Sequence, residues 1–419
     1  MRRNCPLRFL LVPLGSEGDV APFVWLADQL CAGGHSVEIA TNPHFATFVT
    51  QRGHVHVPVG TAEQLEELVN HPQLWNGIAG SRLLLEFVLR TLPESTRSLL
   101  ASAAQADVVV GSTFALAGSL AAEVVAKPFV RVHLQPAALR SVRDLPVLGP
   151  RLGWLRRWPA PALRLFFRAV DYALDAQPLR ELNTFRRSLG LPSVHSFYRD
   201  VFNSGAGIAA LFPSWFAPPQ PDWPPQVKQF GFPLETETPR PAAPENVQTF
   251  LDAGPPPVVW THGSANYQAD AFLAAAEASC RALRVRGILV APGLDDLGAG
   301  PPSGDMLRLN YAPFAALFPY CRAVVHHGGI GTLTKALRAG LPQLIIPRAY
   351  DQFDNAARAE RLGFGLALPY RRLGRATQRL RTLLERPGFA TRARELAPSV
   401  TPATGVVTWL ESLAAKAWS

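Results

Sequence analysis

The feature that most constrains this chain is an alternation of short apolar runs with longer helical patterns, which occurs in both halves. In the first half, apolar runs at residues 7–14, 37–41, 107–111 and 129–133 alternate with stretches of helical spacing. Strands that alternate with helices form a parallel sheet covered on both faces. The first half is therefore predicted to be a doubly wound α/β domain.

The second half repeats this alternation after a proline-rich stretch at residues 217–257. Its predicted strands are residues 258–261, 287–291, 307–310, 323–326 and 344–347. Proline runs are stiff and join poorly to sheets, and 419 residues favour two domains. We predict an N-terminal domain of residues 1–240, a C-terminal domain of residues 241–398 and a C-terminal helix within 399–419 that could pack back on the first domain.

Residues 136–200 interrupt the first alternation with proline- and arginine-rich helical material, which predicts an insertion. Its segments 151–158 and 163–168 interleave Trp, Phe and Leu with Arg, as an interfacial membrane helix does. A helix with one face packed on the domain explains the same pattern equally well. Both interpretations stay open on the sequence.

The charge balance of 41 Lys and Arg against 32 Asp and Glu attracts anions, including nucleotides, nucleic acid and acidic lipids. Nucleic acid is the least favoured of these, because no zinc-finger spacing or aromatic RNA-binding signature occurs. Four scattered cysteines and the lack of an 18-residue apolar run predict a cytoplasmic protein, with contact at the inner face of the membrane as an option.

The strongest local signal is residues 323–340, which read as a strand, a glycine-rich turn and a helix. Such a turn presents free backbone N–H groups and the positive end of a helix dipole, and so forms an anion site. His327 and Thr332 add side-chain donors for a phosphate. The glycines alone also fit an ordinary tight turn.

Asp351 and Gln352 follow the predicted strand at 344–347. A carboxylate beside an amide can bind the vicinal hydroxyls of a sugar, although Asp at a helix start is also a common cap. No Asp-x-Asp pair follows a strand, so we expect no metal and no cofactor.

These residues resemble a known family. The segments 326–332, 339–343 and 351–355 look like the donor-binding signature of the UDP-glycosyltransferase family, GT1, and residues 15–23 look like the start of its bacterial and sterol-modifying branch. Residues 211–224 are similar to a segment of the rhamnosyltransferases that build rhamnolipids. The resemblance implies the GT-B fold, two Rossmann-like domains facing across a cleft. It also implies metal-independent, inverting transfer of a hexose or deoxyhexose, with the acceptor on the N-terminal domain and the nucleotide sugar on the C-terminal domain.

The resemblance also implies the donor-binding residues, which are Ser264, Tyr311, Ala312, His327, Gly328, Gly329, Gly331, Thr332, Asp351 and Gln352. The aromatic ring of Tyr311 is expected to stack on the nucleobase, and Ser264 to lie near the phosphates. Lys335 stands where many users of UDP-sugars have a Glu that binds both ribose hydroxyls. This difference favours a dTDP-sugar over a UDP-sugar.

Asp19 stands where many relatives have a histidine that removes the acceptor proton. A carboxylate there can serve as the base, but Asp19 could instead only cap a helix begun near Pro22. Ser16, His44 and His133 are candidates for contacts with the acceptor, and His133 also for a second base. His262, which likewise lies at a predicted strand end, is a candidate for a contact with the acceptor or the donor.

The apolar insertion and the basic balance favour a lipid-like or other hydrophobic acceptor with a hydroxyl group. Two alternatives remain, a catalytically silent partner protein of the same fold and a nucleotide-sugar epimerase. The retained phosphate and sugar motifs favour an active enzyme over a silent partner. The insertion argues against an epimerase, which needs no acceptor pocket.

Overall fold

The computed structural model describes residues 6–147, 149, 153–234, 244–263, 270–292, 294 and 305–417. The chain forms two compact units. The first comprises residues 1–146, 151–234 and 403–419, and the second comprises 147–150 and 235–402. Within the described residues, no helix has the length and apolar character needed to cross a membrane.

The described residues of the first unit form a seven-stranded sheet. Its strands are β1 (Arg8–Val12), β2 (Ser36–Thr41), β3 (Val55–Pro58), β4 (Val108–Ser112), β5 (Phe129–His133), β6 (Gly207–Ala210) and β7 (Val227–Gln229). They lie in the order β3-β2-β1-β4-β5-β6-β7, and each neighbouring pair is parallel. The four strands predicted in this half are confirmed, and β3, β6 and β7 are additional.

The helices of the first unit are α1 (Glu17–Ala32), α2 (Ala46–Thr50), α3 (Ala62–Asn70), α4 (Gly77–Gln105), α5 (Leu116–Val124), α6 (Ala160–Ser188) and, near the C-terminus, α14 (Val406–Ala417). Helix α14 packs on this unit. A Cβ atom on Gly207 of β6 would lie 2.7 Å from the Trp409 ring, and His35 Nε2 lies 2.9 Å from Glu411 Oε1.

The predicted insertion contains α6, preceded by a 3-10 turn at Gly153–Arg157 and followed by a π-helical turn at Phe197–Phe202. Leu145, Leu155, Leu163 and Phe167 form a small core beneath it. Trp154, Leu165 and Tyr172, by contrast, are exposed. The insertion therefore has both a packed face and an apolar surface in solvent.

The described residues of the second unit form a six-stranded sheet. Its strands are β8 (Val258–Thr261), β9 (Gly287–Val290), β10 (Met306–Leu309), β11 (Ala323–His326), β12 (Gln343–Ile345) and β13 (Gly365–Ala367). Its helices are α7 (Glu245–Asp252), α8 (Asp270–Leu283), α9 (Phe314–Leu317), α10 (Ile330–Arg338), α11 (Gln352–Leu362), α12 (Ala376–Glu385) and α13 (Pro387–Leu396).

The strand order in the second unit is β10-β9-β8-β11-β12-β13, again with parallel neighbours. Successive side chains of a strand point to opposite faces, and both faces of this sheet are buried. Trp260 and Val325 belong to one core cluster, whereas Val259 and Val324 belong to another. Helices therefore cover both faces, as predicted for a doubly wound unit.

Candidate functional site

The carboxyl edge of the second sheet brings three loops together. In the register of the sheet, Thr261 of β8 pairs with His326 of β11, and His326 pairs with Ile345 of β12. Parallel strands end at one edge, so the loops that follow β8, β11 and β12 are neighbours. Two of these loops carry most of the predicted donor-binding residues.

His326 fixes the glycine-rich turn from inside the core. Its Nδ1 accepts a hydrogen bond of 3.2 Å from the Gly328 N–H, and its Nε2 donates to Gln343 Oε1 at 2.8 Å. The Gln343 amide in turn donates to the Leu333 carbonyl of α10 at 3.0 Å. Burial lowers the pKa of His326 to about 4, so the ring is neutral near pH 7. His326 is therefore a structural residue that ties β11, β12 and α10 together.

His327 lies between two glycines, at positions where a larger residue would collide with its ring. A Cβ atom on Gly263 would be 2.6 Å from its Cε1, and one on Gly329 would be 2.4 Å from its Nε2. Burial lowers the pKa of His327 to about 3, and its buried Nδ1 meets no hydrogen-bond partner among the described residues. A neutral imidazole carries one N–H donor, so His327 can donate to a ligand.

Helix α10 begins directly after this turn, with Gly329 as its N-cap residue. The first N–H groups of a helix have no intrahelical acceptor and carry the positive end of its dipole. Its first turn contains no acidic residue to neutralise that charge. Gly331 is exposed and Thr332 is half-buried. This is the arrangement that an anion site requires.

Asn355, which sequence reasoning did not single out, joins the two predicted donor motifs. Its Nδ2 donates to the Gly328 carbonyl at 2.9 Å and to Asp351 Oδ2 at 2.7 Å. Asp351 occupies the N-cap position of α11, but its side chain forms no capping hydrogen bond. The capping alternative for Asp351 is therefore not realised. Spacing of four residues on a helix was the signal that could have identified Asn355.

Gln352 is the first residue of α11, two residues before the predicted helix start near Asp354. Its side-chain Oε1 accepts hydrogen bonds from the backbone N–H groups of Arg348 and Ala349, at 2.9 and 3.2 Å. That oxygen therefore shapes the loop after β12. The amide nitrogen is the group through which Gln352 can bind a sugar.

Tyr311 and Ala312 follow β10 at the same edge of the sheet. The Tyr311 side chain is 70 % exposed, whereas Ala312 is buried. An exposed aromatic ring at this place suits stacking on a nucleobase. Ser264 lies outside the described residues.

Asp19 lies in the first turn of α1, in the first unit. Its Oδ2 accepts hydrogen bonds from the Ser16 N–H at 2.8 Å and from Ser16 Oγ at 3.0 Å. Gly15 makes room for the carboxylate, since a Cβ atom there would lie 2.2 Å from Oδ2. The predicted helix start near Pro22 is wrong, because α1 begins at Glu17 and contains Pro22 in its interior.

Asp19 therefore does cap a helix, but through one oxygen. No described residue donates a hydrogen bond to Oδ1. Burial raises the pKa of Asp19, and this effect outweighs the two bonds from Ser16, which lower it. A carboxylate with a raised pKa is a better proton acceptor than an ordinary one.

The three candidates for acceptor contacts differ in environment. His44 is exposed just beyond β2, and Ser16 is half-buried beside Asp19. His133 is fully buried, with Nδ1 at 2.8 Å from Thr113 Oγ1 and Nε2 at 3.2 Å from Asn203 Oδ1. Burial lowers its pKa to about 3. Neither nitrogen of His133 is available, so the predicted acceptor contact and second base do not fit this residue.

Comparison with known proteins connects both units to sugar transfer. The glycosyltransferase family 28 N-terminal domain matches residues 9–142, and the erythromycin biosynthesis protein CIII-like C-terminal domain matches residues 291–406. An uncharacterized glycosyltransferase of Mycobacterium tuberculosis is 30% identical over 96% of this chain and 97% of its own. The vancomycin aglycone glucosyltransferase of Amycolatopsis orientalis is 29% identical over 86% of each chain.

A solved structure shares the fold along almost the whole length. It is the spinosyn rhamnosyltransferase SpnG complexed with thymidine diphosphate, with a TM-score of 0.67 and 21% identity, covering 97% of this chain and 100% of that one. Among the described residues, no group of three or more His, Cys, Asp or Glu side chains is placed to hold a metal ion.

Proposed function

This chain belongs to the GT1 family of glycosyltransferases and has the GT-B fold, and on that premise we propose that it transfers a hexose or deoxyhexose from a dTDP- or UDP-sugar to a hydroxyl of a hydrophobic acceptor. One observation carries the donor part of the proposal. The neutral His327 and the start of α10 lie next to Asp351, and Asn355 holds Asp351 and the turn together. Donors for phosphate and acceptors for sugar hydroxyls thus occur within one unit.

A dTDP-sugar is the favoured donor. Lys335 is exposed on α10, where it supplies no carboxylate to a ribose, and the spinosyn rhamnosyltransferase structure holds thymidine diphosphate. Rhamnose is the favoured sugar for two reasons. The same structure is that of a rhamnosyltransferase, and residues 211–224 are similar to a segment of the rhamnosyltransferases that build rhamnolipids. The vancomycin aglycone glucosyltransferase, whose acceptor is an aglycone, supports a small-molecule acceptor.

The proposed reaction is a direct displacement. The oxygen of the acceptor hydroxyl forms a bond to the anomeric carbon, and Asp19 takes the proton of that hydroxyl. At the same time the bond from the anomeric carbon to the diphosphate breaks. The configuration at the anomeric carbon is inverted. The negative charge that develops on the diphosphate is stabilised by the N–H groups at the start of α10 and by His327. No step requires a metal.

A donor and acceptor screen tests this function. Purified protein is incubated with dTDP-rhamnose, dTDP-glucose or UDP-glucose and a panel of hydroxy fatty acids and aromatic alcohols, with product mass as the readout. We expect the mass of one sugar to be added to an acceptor. Donor incubated alone is the control, and an epimerised sugar in that control would favour the epimerase.

A thermal shift measurement tests the silent-partner alternative. A ligand present at a hundred times its dissociation constant stabilises the folded state by about 2.7 kcal/mol. We expect such a shift with dTDP and a smaller one with UDP at equal concentration. An unchanged melting temperature with both nucleotides would overturn the proposed function.

We also propose that the exposed apolar surface of the insertion contacts a membrane or a lipid-like acceptor. Trp154, Leu165 and Tyr172 supply this surface, and Arg164 and Arg168 are exposed on the same helix as the last two. Flotation with vesicles of anionic phospholipid tests it. Leu165→Ser with Tyr172→Ser should abolish flotation, and wild-type protein that does not float would contradict the membrane contact.

A further inference from the structure

Two side chains outside the predicted diphosphate motif flank the His327 turn. Arg348 follows β12 and His262 follows β8, and these strands are the two neighbours of β11. The guanidinium of Arg348 lies over the ring of Tyr370, with Cζ 4.5 Å from the ring centroid. Its Nη1 is buried, with no hydrogen-bond partner among the described residues.

His262 presents the same deficit on the other side of the turn. Its side chain is 4 % exposed, and among the described residues its ring nitrogens meet only the backbone of His262 and Gly263, without a hydrogen bond of regular geometry. The ring packs edge-on against Phe272, with the centroids 5.8 Å apart. Burial lowers the pKa of His262 to about 4, so the ring is neutral near pH 7 and carries one N–H donor.

Electrostatic coupling connects the three side chains. The positive charge of Arg348 contributes to the lowered pKa of His262, and His262 contributes to the lowered pKa of His327. A buried donor without an acceptor is unfavourable, and a cation without an anion more so. Three such groups around one turn therefore indicate a missing acceptor that carries negative charge.

We propose that Arg348 and His262 bind the distal phosphate of the nucleotide donor, the one bonded to the sugar. This inference rests on the proposed function, since it requires a nucleoside diphosphate sugar. The start of α10 and His327 bind the diphosphate from β11, and Arg348 and His262 add contacts from the strands on either side. A guanidinium donates two parallel hydrogen bonds to a phosphate. The pair is therefore the element that distinguishes a nucleoside diphosphate from a monophosphate.

Calorimetric titration with dTDP, UDP and dTMP tests the proposal on the full-length protein. For Arg348→Gln we expect dTDP affinity to fall about ten-fold or more, equivalent to about 1.4 kcal/mol, with less than a two-fold change for dTMP. Arg348→Lys should recover part of the loss, because it restores the charge but not the fork. His262→Phe, which keeps a ring beside Phe272, should reduce dTDP affinity in the same selective way.

Arg381→Gln is the matched control, because Arg381 is exposed on α12. It should leave both affinities unchanged, and circular dichroism should show that every variant is folded. The proposal is overturned if Arg348→Gln weakens dTDP and dTMP equally, or weakens neither, while wild type binds dTDP. The first result indicates a structural role, and the second indicates that Arg348 faces another anion, such as a sugar carboxylate. Wild-type protein that binds neither dTDP nor UDP would instead overturn the proposed function and this inference with it.

Discussion

Replacing Asp19 by asparagine separates the two roles that the structure gives this residue. One oxygen of Asp19 accepts hydrogen bonds from Ser16 at 2.8 and 3.0 Å. Asparagine keeps an oxygen that can accept both bonds, but it cannot take a proton from a hydroxyl group. Asp19→Asn should therefore retain the start of α1 and lose the base.

The expected loss in turnover follows from the role of a general base. Such a group contributes about 10²- to 10⁴-fold to the rate, which is about 2.7 to 5.4 kcal/mol at about 1.36 kcal/mol per factor of ten. We expect kcat to fall by this factor. Affinity for dTDP should change little, because the predicted donor residues belong to the other unit.

Although Asp19→Asn should lose turnover, it should not lose stability. Burial raises the pKa of Asp19, so the folded chain holds this proton more tightly than the unfolded chain. The favourable contribution of Asp19 to the free energy of unfolding is then complete below the pKa of the unfolded chain, about 3.9. It is lost as the pH rises through the pKa of the folded chain. At pH 7 a neutral asparagine avoids this loss. Asp19→Asn should melt at the same temperature as wild type or higher.

Alanine at the same position provides the contrast. Asp19→Ala removes both hydrogen bonds at the start of the helix, and loss of a cap costs about 0.5–2 kcal/mol. For a domain of this size, each kcal/mol lowers the melting temperature by about 2–4 °C. The alanine variant should therefore lose turnover and melt at a lower temperature than Asp19→Asn.

Initial rates with the donor and acceptor found by the screen, and scanning calorimetry between pH 5 and 8, measure these quantities. For the wild type, kcat/KM should decrease as the pH falls through the raised pKa of Asp19, because the base becomes protonated. The catalytic assignment is refuted if Asp19→Asn retains kcat within about ten-fold of wild type, well short of the contribution expected of a base. If both variants lose melting temperature equally, asparagine does not keep the hydrogen bonds from Ser16, and the predicted separation of the two roles is wrong.

Three further predictions concern the second unit. Gly329→Ala places a Cβ atom 2.4 Å from His327 Nε2, so the ring must move, and calorimetry should show dTDP affinity reduced by about 1.4 kcal/mol or more. Gly374→Ala, with open space around it, is the control and should bind normally. Asn355→Ala removes two hydrogen bonds at 2.7 and 2.9 Å, and urea denaturation should show unfolding free energy lowered by about 1–3 kcal/mol. An unchanged midpoint would contradict this. Tyr311→Ala should weaken dTDP binding by about 1–3 kcal/mol if the ring stacks on the base, whereas Tyr311→Phe should bind like wild type; equal losses in both variants would exclude stacking.

The fold was largely predictable because hydrophobic alternation carries through buried parallel strands. The predicted bounds of β5, β8 and β11 are those of the structure. Strands β7 and β13, which were not predicted, have three residues each and lie at the edges of their sheets. The start of α1 was missed for another reason. Gly, Ser and Asp near residue 17 are weak helix formers, and a proline favours the first turn of a helix, whereas Pro22 lies inside α1.

At the site, the sequence did not predict the surroundings of individual side chains. The rule that strand ends carry ligands drew attention to the loop after β11, and it also selected His133. The side chain of the final residue of a strand can point into the core, where its hydrogen-bond partners come from distant parts of the chain. For His133 the partners are Thr113 and Asn203, which lie 20 and 70 residues away. Local sequence contains no sign of either contact.

Arg348 is the opposite case, because its proposed role follows from a hydrogen-bond partner that the described residues do not supply. The sequence places an arginine after a predicted strand, as it does at many surface positions. Only the packed unit shows that Nη1 is buried without an acceptor among the described residues. If a phosphate supplies that acceptor, ligand binding removes an unfavourable interaction of the free protein. The stabilisation by dTDP should then exceed that by dTMP in wild type, and the difference should shrink in Arg348→Gln.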